Sequence, residues 1–286
     1  MDEFSAILKA REFVARTNPT EIPVELKAYL AQAESVLRVD HDLSEDEAGC
    51  CVTIAGRRHI IVNGNDSAER QRFTVCHEIA HIILNLPSQH TETTLWSYSK
   101  RPTNEIYCDV FAAELLLPYG LFKPLADDAL IGFAALDDLA ESFSASVMAT
   151  GSRFAAAVDL PCAFVISQER IVRYASRSKS LREAAAWIAP GSGLPPDSAS
   201  TKANSATGIE SGEIQADQWF TDWRRGGMLL EEARYLPRWK QTLTLLWFDD
   251  DEVPLPDGDD QDSDEEQGLK ELDGTLPWPG RKKRRP

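Results

Sequence analysis

The chain has 286 residues, 43% of them hydrophobic, and a formal net charge of −16. That is length and apolar content for one large domain or two modest ones, and the wrong charge for a chain that grips phosphate backbones through clustered Lys and Arg. Five cysteines without regular spacing exclude a disulfide framework and fit reduced thiols. The opening "MDEFSAILKAREFVART" lacks the basic-then-apolar pattern of a secretory signal. No run approaches the roughly 18 apolar residues of a membrane span, so a soluble, cytoplasmic protein is expected.

In chain order, apolar spacing predicts helices over 3–16 and 23–36, the second opening at Pro23. Two β-rich runs, "CCVTIAG" and "RRHIIVNG", flank a turn at Gly56. Asp66, with Glu69 three residues on, marks a helix start, and that helix runs from about Ser67 to Leu86-Pro87. A polar loop over 88–103 precedes a second helix, about 103–117, that Pro118 stops. Residues 124–158 are Ala-rich with helical period and read as two or three short helices packed like a helix-turn-helix. After Pro161, "CAFVISQERIVRYASRS" reads as two strands and "SLREAAAWIA" as a helix. Residues 190–212 read as a loop or linker, "DQWFTDWRRG" as helical, and "QTLTLLWFDD" as a strand. Beyond Asp249 an acidic block and the final "RKKRRP" read as a disordered tail whose opposite charges attract.

The chemistry concentrates in two of these helices. "RFTVCHEIAHIILN" carries His77, Glu78 and His81 as H-E-x-x-H. On a helix, positions i and i+4 share a face, so two imidazoles can hold one metal ion from one side. Glu78 can then reach a water on that metal as general base. A solvated polar face would have charged neighbours, whereas Phe73, Val75, Ile79, Ile82, Ile83 and Leu84 flank these residues. A catalytic zinc needs a third protein ligand and an open fourth position. The next helix, "NEIYCDVFAAELLLP", offers Glu105 as that ligand, with Asp109 one turn on to hydrogen-bond the far nitrogen of a ligand histidine. His90, Glu92 and Glu114 are the alternative third ligands, Glu114 being read as an exposed helix-face residue. An oxyanion stabiliser is also needed; His90, Tyr98, Arg101 and Tyr107 are near in sequence, and none is assigned. Strand "HIIVN" is a candidate for pairing with an extended substrate. Cys76 and Cys108 read as small buried hydrophobes rather than as a redox switch.

"RQRFTVCHEIAHIILN" followed by "NEIYCDVFAAELLLP" resembles the ImmA/IrrE family of metallo-endopeptidases, whose members carry R-x-R-F-T-x-x-H-E-x-x-H and, after a loop, E-x-x-A-N-x-F-A-A-x-L-L-M-P. Arg72, Phe73, Thr74, His77, Glu78 and His81 match the first motif; Glu105, Phe111, Ala112, Ala113, Leu115, Leu116 and Pro118 match the second. Cys108 stands where Ala is usual and Asp109 where Asn is usual. The detailed similarity covers about 57–118 and a looser one continues to about 157. The resemblance implies an α+β, zincin-like domain with Zn2+ on His77, His81 and Glu105. It also implies a regulatory peptidase that cleaves a helix-turn-helix transcriptional repressor of mobile-element or stress-response genes. The chain leaves no room for a repressor-type domain before the catalytic core, so the repressor is expected to be a separate protein. Direct nucleic-acid binding is not expected of so acidic a chain.

The organisation expected is a metallopeptidase domain over 1–123, a helix-turn-helix-like segment over 124–160, a small C-terminal α/β domain over 161–250 for sensing or docking, and a tail over 251–286.

Overall fold

The computed structural model describes residues 2–44, 46–87, 102–203, 208–249 and 253–254. Most of the expected tail and most of the loop over 88–103 lie outside the described residues, as do His90, Glu92, Tyr98 and Arg101. The fold is α+β, with two sheets and the helices between and around them.

Helix α1 (Glu3–Thr17) starts on Asp2, whose side chain accepts from the Ser5 N–H, and buries Ala6, Ala10 and Phe13 along one stripe. Helix α2 (Leu26–Gln32) is shorter than its apolar spacing suggests. The expected helix over 23–36 gives way at Ser35 to strand β1 (Ser35–Asp40), where β-branched Val36 and Val39 favour extended backbone. Strands β2 (Gly49–Ile54) and β3 (Arg57–Asn63) form a hairpin. Its two turn residues, Ala55 and Gly56, both have positive φ, which matches the twist of the flanking strands. The sheet order is β1-β3-β2, with β3 parallel to β1 and antiparallel to β2. Strand β3 is therefore paired on both edges and cannot take up a substrate strand. That corrects the expectation for "HIIVN": the candidate edges are β1 and β2.

Helix α3 (Ala68–Leu84) packs across this sheet through Val75 and Ile79, against Ile60 and Val62 of the sheet's inner face. Its cap is Ser67, not Asp66; Asp66 instead pairs with Arg70 at 2.8 Å. Arg72 donates to the Val24 carbonyl at 2.8 Å and ties α3 to the segment before α2. Helix α4 (Thr103–Leu116) packs against both α3 and α1. Phe13 of α1 meets Phe111 of α4 with ring centroids 5.9 Å apart, and Tyr29 of α2 donates to the Leu115 carbonyl. Each such buried aromatic or aliphatic side chain contributes about 1.5–3 kcal/mol.

Three short helices follow: α5 (Tyr119–Asp127), α6 (Phe133–Phe143) and α7 (Val147–Ala157). The chain then forms β4 (Cys162–Gln168), β5 (Ile171–Arg177), the short helices α8 (Lys179–Glu183) and α9 (Ala199–Lys202), β6 (Ile209–Gln215), β7 (Met228–Leu236) and β8 (Gln241–Phe248). These strands make one antiparallel sheet, order β5-β4-β8-β7-β6. Three sequence expectations change here. The segment 209–212 is strand rather than linker, and β7 emerges where no element was expected. "DQWFTDWRRG" holds only a short 3-10 turn at Ala216–Gln218, because Trp219, Phe220 and Trp223 are recruited to cover the sheet.

The two faces of this sheet serve different cores. Ala163, Val165, Leu229, Leu246 and Phe248 pack under Trp219, Phe220 and Trp223. Phe164, Ile166, Leu243 and Leu245 instead join the same core as α3, α4 and α7. Polar contacts reinforce that junction. Glu232 of β7 accepts from the Phe133 N–H at the start of α6, and Arg234 makes a two-pronged pair with Asp137 at 2.7 and 2.6 Å. Gly151 of α7 lies so near Phe164 that a Cβ there would sit 2.3 Å from the ring. The second helix of the helix-turn-helix-like pair is thus covered by β4 and β5.

Candidate metal centre

His77 and His81 project from one face of α3, four residues apart, and Glu105 reaches them from the first turn of α4. His77 Nε2 lies 3.1 Å from His81 Nε2 and 3.1 Å from Glu105 Oε2; His81 Nε2 lies 3.6 Å from Glu105 Oε1. Ligand atoms about 2.0–2.1 Å from a tetrahedral zinc stand roughly 3.3 Å from one another, and the observed separations bracket that value.

The outer nitrogens explain why the inner ones converge. His77 Nδ1 is 3.0 Å from Asp109 Oδ1, and His81 Nδ1 is 3.2 Å from the Leu86 carbonyl oxygen. Both oxygens accept, so both Nδ1 atoms donate, and each ring, once any proton on its inner nitrogen is displaced, turns an Nε2 lone pair inward. Two such lone pairs facing across 3.1 Å beside a carboxylate repel unless a proton or a metal ion lies among them. Burial works against a charged His77 ring, but the hydrogen bonds to Asp109 and Glu105 outweigh it and hold its pKa up at about 10. The same negative charge attracts a metal cation. The donor set, two imidazoles and a carboxylate, is one zinc accepts readily.

Glu78 follows His77 on the helix and is 1% exposed; its Oε2 finds no hydrogen-bond partner among the described residues. An orphaned carboxylate oxygen in such a place costs desolvation energy unless a water or substrate group uses it. The donor triad and this orphan together fit a metal with a water beside it.

Two site features were not visible in the sequence. The Leu86 carbonyl reaches His81 because Asn85 takes left-handed geometry, φ 53°, and folds the chain back after α3; any residue supplies a carbonyl, so no side chain signals it. The second is Glu114. It is not an exposed helix-face residue: it is 2% exposed, with Oε1 2.8 Å from Arg153 Nη2 and 3.5 Å from Arg11 Nε, and it points away from the histidines. Cys76 and Cys108 are fully buried, and burial pushes both thiols up, Cys76 to about 12. That is the reverse of what a thiolate switch requires. Tyr107 packs against the main core.

A sheet-backed H-E-x-x-H helix beside a helix bearing a further carboxylate is the layout of zincin-type protease domains. The model of the IrrE N-terminal-like domain, a peptidase family, matches residues 30–155, and over those residues the chain is similar to that family. A solved structure described as a Mycobacterium tuberculosis transcriptional regulator is similar at a TM-score of 0.57, covering 85% of this chain and 76% of its own, with 12% sequence identity. At that identity the likeness shows the fold alone. No curated protein matches the sequence. No helix among the described residues is long and apolar enough to cross a membrane.

Proposed function

We propose that the chain is a zinc-dependent endopeptidase that cleaves a helix-turn-helix transcriptional repressor encoded as a separate protein. The observation that carries this reading is the buried Glu78 carboxylate, whose Oε2 has no hydrogen-bond partner among the described residues, beside the converging His77, His81 and Glu105. His77, His81 and Glu105 would hold the zinc ion, which would supply Lewis-acid polarisation of the scissile carbonyl and a water of near-neutral pKa. Glu78 accepts the proton of the attacking water and returns it to the leaving amine. Asp109 and the Leu86 carbonyl hold the two imidazoles in the required tautomer throughout.

Strand β2 is our candidate for aligning the substrate. It is an edge strand and runs close under α3, where a Cβ on Gly49 would meet Thr74 at 2.7 Å. Burial, and after it the Glu78 charge, raises the Cys50 and Cys51 thiols, which supports a peptide on this edge passing near the base. The choice of a repressor rests on the family's regulatory character. The covering of α7 by β4 and β5 supports a role acting on a DNA-binding protein rather than on DNA, and the region 161–250 is our candidate for sensing or docking.

The test is incubation of the zinc-loaded protein with the helix-turn-helix repressor encoded beside its gene, with Glu78→Gln as control. Cleavage by the wild type alone supports the reading. A stable complex that neither protein cleaves, with zinc confirmed in both, would make the chain a non-cleaving binding module instead.

A further inference from the structure

We propose that Arg153 is a positioning residue for the metal centre, acting through Glu114, and that the C-terminal sheet holds it in place. The inference rests on the reading of His77, His81 and Glu105 as metal ligands. Helix α4 is loaded on two sides. Glu105 and Asp109 face α3. Glu114 comes nine residues after Glu105, about two and a half turns, so it projects from the opposite side, about 13 Å further along the axis.

There Glu114 gathers contacts from three other helices. Its Oε1 lies 2.8 Å from Arg153 of α7 and 3.5 Å from Arg11 of α1, and it accepts from the Tyr119 N–H at the start of α5, at 3.1 Å. Both guanidinium groups also lie over the Tyr119 ring, at 4.6 and 5.6 Å from its centre. Helix α4 already packs on α3 and α1, and the grip on Glu114 adds a polar hold at the end opposite Glu105. Gripped on opposite sides at its two ends, α4 has one rotational setting, and that setting places Glu105 and Asp109.

Arg153 is held from behind by its own neighbours in the helix. Gly151 abuts the Phe164 ring of β4. The Ser152 hydroxyl is 2.7 Å from the Tyr174 hydroxyl of β5, and Ser176 of β5 donates to the Ser152 carbonyl at 2.8 Å. Three consecutive residues of α7 thus join the C-terminal sheet to the helix that carries Glu105. A pair that only added stability would leave metal affinity alone; a positioning pair moves it.

The experiment measures zinc affinity by chelator competition, and the visible spectrum of the cobalt-substituted full-length protein, for wild type, Arg153→Met, Arg153→Lys and Tyr174→Phe. Arg153→Met is expected to weaken zinc about tenfold, the lower end of what outer-sphere partners of metal ligands contribute, and to shift the cobalt bands. Arg153→Lys should recover most of that loss, because it restores the charge. Tyr174→Phe, which removes one hydroxyl and keeps the fold, should weaken zinc several-fold. It remains informative if Arg153→Met does not fold. Wild-type affinity and an unchanged cobalt spectrum in folded Arg153→Met overturn the proposal, and the same result in Tyr174→Phe overturns the part assigned to the sheet. A wild type that binds no zinc would sink the underlying metal reading instead, so the two failures are distinguishable.

Discussion

The two ends of α4 treat a buried carboxylate differently. At the C-terminal end Glu114 is met by Arg11 and Arg153, cations that the chain itself provides. At the N-terminal end Glu105 and Asp109 are met by His77, whose inner nitrogen also faces His81. The first cluster is an electrostatic joint whose charges are balanced once the chain has folded, although Glu114 Oε2 and Arg153 Nε find no hydrogen-bond partner among the described residues. The second gathers donor atoms and negative charge around one point, and on the proposed reading a metal cation from outside completes it. Burial alone therefore does not mark a functional site; the distinguishing sign is whether the fold supplies the balancing charge.

Substitutions at the two ends should separate these roles. The largest effect is expected from Glu78→Gln beside the metal end, which should lower peptide hydrolysis by about 10²–10⁴-fold with zinc content unchanged, read from repressor cleavage and elemental analysis. Glu114→Ala leaves Arg153 buried without its carboxylate and should cost about 3–5 kcal/mol in denaturant unfolding, yet still bind one zinc per chain when zinc is saturating. In the wild type, zinc at a thousandfold excess over its dissociation constant should add about 4 kcal/mol of stability; the gain should vanish in Glu105→Ala and persist in Glu114→Ala. Gly151→Ala, which drives a methyl into Phe164, should lose about 1–3 kcal/mol, seen as a lower unfolding midpoint. Asp109→Ala, which removes the acceptor for His77 Nδ1, should weaken zinc by about 10–100-fold, with little change in unfolding of the metal-free protein.

The residues of the candidate metal centre were readable because the chemistry imposes spacing. Two ligands four apart on a helix, and a carboxylate pair four apart on the next, are patterns that local periodicity exposes. What completes the centre was not readable. The Leu86 carbonyl depends on the backbone turn at Asn85, and the Glu114 cluster joins residues separated by more than a hundred positions, Arg11 and Glu114, with Arg153 beyond them. Long-range pairing also explains the missed strands. Segment 35–40 is short and follows a helix without a break, and β7 carries Glu231, Glu232 and Arg234 among its apolar residues. Those charges look like surface in the sequence, but Glu231 caps α9, Glu232 caps α6 and Arg234 pairs with Asp137. Conversely, the aromatic run after Gln218 has helical spacing and yet forms no helix, because covering the sheet outweighs local propensity.

The most direct measurement is zinc per chain, by elemental analysis, in wild type and Glu105→Ala after identical reconstitution and dialysis. One zinc in the wild type and nearly none in the variant is the expected result. One zinc in both would contradict Glu105 as the third ligand, and with it the meeting of α3 and α4 as the metal centre.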